Sequence, residues 1–228
     1  MEYSIHRLLS LRKTTEERIR KAINGNQCFV ATVKGKSRTI NGVPVENVER
    51  DIKATYDKVM ALISNYRRIK AAILRSNAGV PADTELTRFC VAGKTYTMAE
   101  LIDASNNIYG NEQHQGGCKA RLLVRLKLDY SKAQEKIELQ AQKVEQNIKD
   151  YFEKAAVGDK QLSAEDMAKR SEMLHEDGDL HLVDPLNIKK VIDDLESEIY
   201  RFREECDAVI SEQNAVTKVD LSLIDIDF

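Results

Sequence analysis

This chain has no tryptophan, three prolines among its 228 residues, and an aromatic content of only 6 %. All-β domains and α/β enzymes draw much of their cores and turns from those residue types, so the scarcity argues against both classes. No apolar run approaches the ~18 residues that cross a bilayer, and no membrane role is expected. Cys28, Cys90, Cys118 and Cys206 are scattered, with no CxxC pair and no Cys/His cluster. That pattern suits reduced, buried thiols and not a disulfide framework. Nor is there an excess of one charge: 35 basic against 37 acidic residues leave a net −2, too little to draw nucleic acid to the molecule as a whole. The N-terminal MEYSIHRLLSLRK lacks the uncharged apolar core of a secretion signal. Cytoplasmic residence, in a bacterium or an infected host cell, is the expectation, with a virion as the other location.

What the chain does have is charge, 32 % of its residues, arranged with helical periodicity. A first helix is predicted from Tyr3 to Ile23, with Ile5, Leu8, Leu9, Ile19 and Ile23 on its apolar face, a polar middle from Arg12 to Arg18, and Asn24-Gly25 as its stop. The segment from Phe29 to Val33 changes to a β-like composition. With turns at Lys34 to Ser37 and at Asn41-Gly42, it predicts a small hairpin or arm over residues 27–45. From Val45 to Ser76 the seam Val48, Ile52, Thr55, Val59, Leu62, Tyr66, Ile69, Ile73 steps by four and three, the period of a coiled coil. At 1.5 Å per residue such a helix is about 45 Å long and needs a partner of similar length.

A second hairpin is predicted over residues 86–97, with Leu86 to Val91 paired to Lys94 to Thr97 across Ala92-Gly93. Thr97-Met98-Ala99-Glu100 then has the spacing of a capping box and starts a helix that runs to Tyr109. Gly110 to Gly117 interrupts it. Another long helix follows from Lys119 to Ala156, with the seam Leu122, Leu126, Tyr130, Ala133, Ile137, Gln140, Val144, Ile148, Tyr151. A polar excursion over residues 158–183 holds a short helix capped by Ser163, from Ala164 to Leu174. Asp184-Pro185 reads as an N-cap with Pro at the first helical position. The last helix runs to Gln213 on the seam Ile188, Ile192, Leu195, Ile199, Phe202, Cys206, Val209. The expected fold is therefore mainly all-α. It is a long antiparallel helical bundle or coiled coil with two small β-hairpins, in one elongated domain over residues 1–216, followed by an extended C-terminal tail over residues 217–228.

The blocks YRRIKAAILRSNAG, GKTYTMAELI and DPLNIKKVIDDLESEIYRFREECDAVISEQNAVTKVDL carry a resemblance to the septicolysin family of small bacterial and phage helical proteins. Asn77, Asn214 and the Thr-Met-Ala-Glu helix start are among the matching residues, and the match covers about half to two-thirds of the chain. The resemblance implies a self-associating helical bundle and supplies no catalytic residues.

Several local patterns invite chemistry. Gly93-Lys94-Thr95 reads GKT, but a phosphate loop also needs a glycine where Arg88 stands, and the segment is a hairpin turn. Arg67, Arg68, Lys70 and Arg75 cluster near the end of one helix, close in sequence to Asn77 and to the hairpin's Arg88 and Lys94. Cations are favoured at a helix C-terminus by its dipole. They would also form an anion pocket, with Arg forks on phosphates and Tyr66 or Tyr96 stacked on a base. Arg121, Arg125 and Lys127 form a second basic stripe, read as a solvated face. His175, Asp177, Asp179 and His181 alternate in HEDGDLH, a donor set for a divalent ion if they share one loop and a solvated acidic turn if they do not. In the tail, Val219, Leu221, Leu223, Ile224, Ile226 and Phe228 alternate with acidic spacers, as a peptide added to a sheet edge would.

These patterns lead to a non-enzymatic, homo-oligomeric helical scaffold or interaction protein of bacterial or phage origin, needing no cofactor and reaching another protein through its tail. A second reading is a sponge for a small phosphorylated, nucleotide-type signal, of the sort a phage could turn against host defence. A third is a metal-dependent enzyme at His175 and His181.

Overall fold

The computed structural model describes residues 4–79, 85–110, 116–156 and 163–217. Its fold is mainly all-α, with small two-stranded sheets. In chain order the elements are α1 (Ile5–Ile23), β1 (Ala31–Lys34), β2 (Thr39–Ile40), β3 (Val43–Pro44), α2 (Val45–Asn77), β4 (Phe89–Val91) and β5 (Lys94–Tyr96). These are followed by α3 (Met98–Ala104), a π-helical turn (Ser105–Tyr109), α4 (Cys118–Ala156), α5 (Ala164–Gly178), β6 (Leu180–Val183) and α6 (Ile188–Val216). Among the described residues, no helix is long and apolar enough to cross a membrane.

The chain gathers into two compact units. Unit 1 comprises Met1–Glu16, Ile63–Arg121 and Leu195–Phe228; unit 2 comprises Glu17–Leu62 and Leu122–Asp194. Neither is a contiguous stretch of sequence.

The heptad seams become the cores. In α2, Ile52, Val59, Tyr66 and Ile73 are buried at intervals of seven residues, with Ile63 buried where the seam placed Leu62. Positions 59, 63 and 66 step by four and three, a helical spacing that serves the same buried face as 59, 62 and 66. In α6 the six seam residues from Ile188 to Cys206 are all buried. The first turns of α4 bury Cys118, Ala120, Leu122, Leu123 and Leu126, a wider face than a single seam.

Unit 2 shows how the leading loop is fixed. The Phe29 N–H donates to Asp129 Oδ2 at 3.0 Å. Asp129 in turn pairs with Arg125 Nε at 2.9 Å, and Arg125 also donates to the carbonyls of Gly25 and Gln27. A buried carboxylate is tolerable only with such partners. The stripe read as a solvated face therefore contributes Arg125 to this anchor.

Here the strand pairing differs from expectation. The strand at 31–34 does not fold back on its own neighbour. It pairs antiparallel with β6 from the polar excursion, Ala31 opposite Val183 and Lys34 opposite Leu180. The local hairpin is the shorter β2–β3 pair, closed by Asn41 and Gly42, both with positive φ, as a two-residue primed turn requires. Gly35 takes φ +52°, and a Cβ there would lie 2.6 Å from the Glu176 carbonyl oxygen, so this turn needs glycine on two counts. Gly178 is needed for a different reason: a Cβ would lie 2.6 Å from Val144 Cγ2.

Helix α6 starts at Ile188, three residues beyond the predicted Pro185. Asp184 still caps it, its carboxylate accepting from the Ile188 N–H at 2.8 Å and from Leu186 N–H at 3.3 Å. Asn187 has φ +55°, which turns the chain between cap and helix. The cysteines divide evenly. Cys118 and Cys206 are buried, while Cys28 and Cys90 are exposed and do not fit the expectation of buried thiols; all four are free. The tail residues Val219, Leu221, Leu223, Ile224, Ile226 and Phe228 lie outside the described residues.

Candidate functional site

The basic cluster predicted from sequence converges in unit 1. The C-terminal half of α2 presents Arg67, Arg68, Lys70 and Arg75, spaced so that successive turns return them to one side. Strands β4 and β5 close through Ala92 (φ 49°) and Gly93 (φ 71°), the primed turn expected there. Helix α3 begins at Thr97 with the full capping box: the Glu100 N–H donates to Thr97 Oγ1 at 3.3 Å, and the Thr97 N–H donates to Glu100 Oε2 at 2.8 Å. Between these elements lies a cavity of about 540 Å³, inside the size range of small-molecule sites. Arg67, Arg68, Lys70, Arg75 and Arg88 line it together with Tyr96.

Five cations face two carboxylates in this cavity, Glu100 and Asp103, and both carboxylates are already engaged. Glu100 serves the capping box. Asp103 Oδ1 pairs with Lys70 Nζ at 2.6 Å, both side chains largely buried, and accepts from Asn107 Nδ2 at 2.9 Å. The Arg67 guanidinium lies 4.4 Å from the Tyr96 ring centroid and donates from Nη2 to the Thr95 carbonyl at 3.3 Å, which holds it over the aromatic face. Among the described residues no hydrogen bond or ion pair engages Arg68 or Arg88. The π-helical turn supplies Ile108 to the lining, next to Ala104 from α3. Such turns recur at functional sites.

Behind Tyr96 is a cluster that the sequence did not announce. Tyr109 stacks on Phe202 with ring centroids 3.7 Å apart, Tyr96 meets the same phenylalanine edge-on at 5.7 Å, and the two tyrosine hydroxyls lie 3.5 Å apart. Glu198 bridges Lys94, at 3.0 Å, and Lys119, whose side chain is only 6 % exposed. Burial favours the neutral form of Glu198, but the bonds and charges of Lys119 and Lys94 outweigh it and hold its carboxyl below the usual range. Burial lowers the Lys119 ammonium despite its pairing. It also pushes the Tyr66 hydroxyl up to about 12, with the Glu16 charge adding to the effect.

Of the nine residues singled out from sequence as ligand-binding, six line this one cavity. Lys94 turns to Glu198, Tyr66 is buried in the core at 3 % exposure, and Asn77, at the end of α2, is not among the lining residues. Ser64, Ala71 and Leu74 also line it and were legible in principle, since they share the helical spacing of Arg67, Arg68 and Arg75. Glu198 and Lys119 pair across 79 positions, and no local pattern announces that.

The HEDGDLH donors do not form one site. Alternation needs a strand, but α5 continues through Gly178, so His175 and Asp177 are helical and only His181 lies in β6, opposite Val33. His175 Nδ1 lies 3.1 Å from Asp179 Oδ2, and Nε2 lies 3.4 Å from Glu145 Oε1. Among the described residues no group of three or more His, Cys, Asp or Glu side chains is suited to a metal ion.

No protein-family model matches the chain, and comparison with curated proteins and with solved structures returns no significant match.

Proposed function

We propose that this protein binds a small phosphorylated molecule in the arginine-lined cavity of unit 1 and acts by holding it, not by turning it over. The observation that carries the reading is the convergence of Arg67, Arg68, Arg75 and Arg88 with Tyr96 on one cavity whose two carboxylates are already engaged. Guanidinium forks suit phosphate oxygens, each charge-assisted bond contributing about 1.5–3 kcal/mol where water is excluded. A sponge for a nucleotide-type signal, such as a phage protein directed against host defence, is the role this chemistry fits. The test is native mass spectrometry of the purified chain, followed by calorimetric titration with inorganic triphosphate. Binding is expected, and Arg68→Glu with Arg88→Glu is expected to weaken it by about a hundredfold, two lost contacts of roughly 1.4 kcal/mol each. Equal affinity in the double variant would remove the cavity from consideration.

The scaffold reading, in which copies of the chain associate, is favoured by a different observation. Ile5 and Leu9, one turn apart on α1, are 38 % and 40 % exposed, where the sequence placed them on the buried face with Ile19 and Ile23. The polar stretch from Arg12 to Arg18 divides that stripe, and only its second half is buried. In a self-associating chain of the kind the septicolysin resemblance implies, Ile5→Lys with Leu9→Lys lowers the sedimentation coefficient at fixed concentration. An unchanged coefficient would count against this face as an assembly surface.

A further inference from the structure

We propose that the ligand of the arginine cavity is a nucleoside phosphate whose base enters a second, apolar cavity that shares Arg75 and Arg88 with the first. This inference rests on the phosphate-binding reading and extends it to the rest of the ligand. The second cavity has a volume of about 590 Å³ and takes Ala71, Leu74, Arg75, Arg88 and Glu100 in common with the first. Beyond that shared wall the chemistry changes. Leu86, Phe89, Met98, Ile102 and Ile210 replace the cations, and α6 contributes Gln213 and Asn214.

A bare phosphate or polyphosphate has no use for such walls, because desolvating its charge against them costs free energy. An acyl chain would fit the walls but would make no use of the two carboxamides at their edge. A heterocyclic base satisfies both requirements. Its faces pack on aliphatic side chains and on Phe89, and its edge carries donors and acceptors of the kind that an amide NH₂ and C=O pair with. The cationic side and the apolar side meet at Arg75 and Arg88, the position a sugar joining phosphate to base would take.

The experiment is calorimetric titration of the full chain with inorganic triphosphate and with ATP, GTP, CTP and UTP. It is run on the wild type, on Ile210→Trp, which puts an indole into the apolar cavity where the base would lie, and on Asn214→Ala, an exposed position whose change leaves the fold intact. At least one nucleotide is expected to bind about tenfold tighter than inorganic triphosphate. Both variants are expected to erase that advantage while leaving triphosphate affinity within about twofold. If all five probes bind the wild type equally, the second cavity is idle and the inference falls, while the arginine cavity stands. A nucleotide advantage that survives both variants overturns it equally. If none of the five binds, the phosphate-binding reading itself fails and takes the inference with it.

Discussion

At the scale of single residues, Glu198 has the largest consequences. It is the shared partner of Lys94 and Lys119, and Tyr109 Oη lies 3.5 Å from its Oε1. Glu198→Ala leaves a buried ammonium without its counter-charge, a loss of about 3 kcal/mol, since breaking one side of a buried pair costs more than the pair is worth. Chemical denaturation of both proteins at neutral pH measures this. The pH dependence has a definite sign. The folded-state carboxyl titrates below its unfolded value, so the stabilisation is complete above about 4.3, the ordinary glutamate value, and is lost as pH falls through the depressed folded value. In Glu198→Ala that acid limb should be shallower. Tyr66 acts at the other end of the scale. Its folded value of about 12 lies above the ordinary tyrosine value, so its contribution is present below about 10 and is lost as pH rises through 12.

At the scale of elements, the hairpin and the α3 cap position the cavity's outer wall. Thr97→Ala removes one half of the capping box and is expected to lower stability by about 1 kcal/mol. The same substitution keeps the backbone N–H of residue 97 that holds the Glu100 carboxylate, so triphosphate affinity is expected to stay within about twofold; a larger loss on calorimetric titration would show that the Thr97 hydroxyl itself shapes the cavity. This box was fully legible from Thr97-Met98-Ala99-Glu100, as was the turn at Ala92-Gly93, because both depend on residues within four positions of one another. The strand at 31–34 was misread for the complementary reason. Its partner lies about 150 residues away in β6, and a local rule can only offer the nearest strand. The start of α6 shows a milder form of this error. Asp184 was correctly read as the cap, but Asn187 at positive φ separates it from the first helical turn. The basic side of the cavity was legible because helical spacing puts Arg67, Arg68 and Arg75 together. Its aromatic backing was not, because Tyr109 and Phe202 meet only through tertiary structure.

At the scale of the whole molecule, the division into two units has a consequence for α6. Unit 2 takes Ile188 and Ile192 from it, and unit 1 takes Leu195, Ile199, Phe202 and Cys206, all of them buried. A chain ending at Asn187 therefore loses core side chains from both units, each worth roughly 2–5 kcal/mol. That sum exceeds the stability of an ordinary domain. Such a chain is expected to show no cooperative thermal transition by circular dichroism; a surviving sharp transition would mean that one unit holds its fold without the helix.

The tyrosine pair behind the cavity has one more consequence, an optical one. With no tryptophan in the chain, the long-wavelength part of its near-ultraviolet signal belongs to tyrosine, phenylalanine adding only weaker bands at shorter wavelength, and asymmetric packing of the kind that fixes Tyr109 on Phe202 makes such a signal strong. Tyr96 touches both that pair and the Arg67 guanidinium. A ligand that draws Arg67 away from the ring alters the electric field at a chromophore the protein already owns, so occupancy of the cavity can be followed on the unlabelled chain as a change of ellipticity.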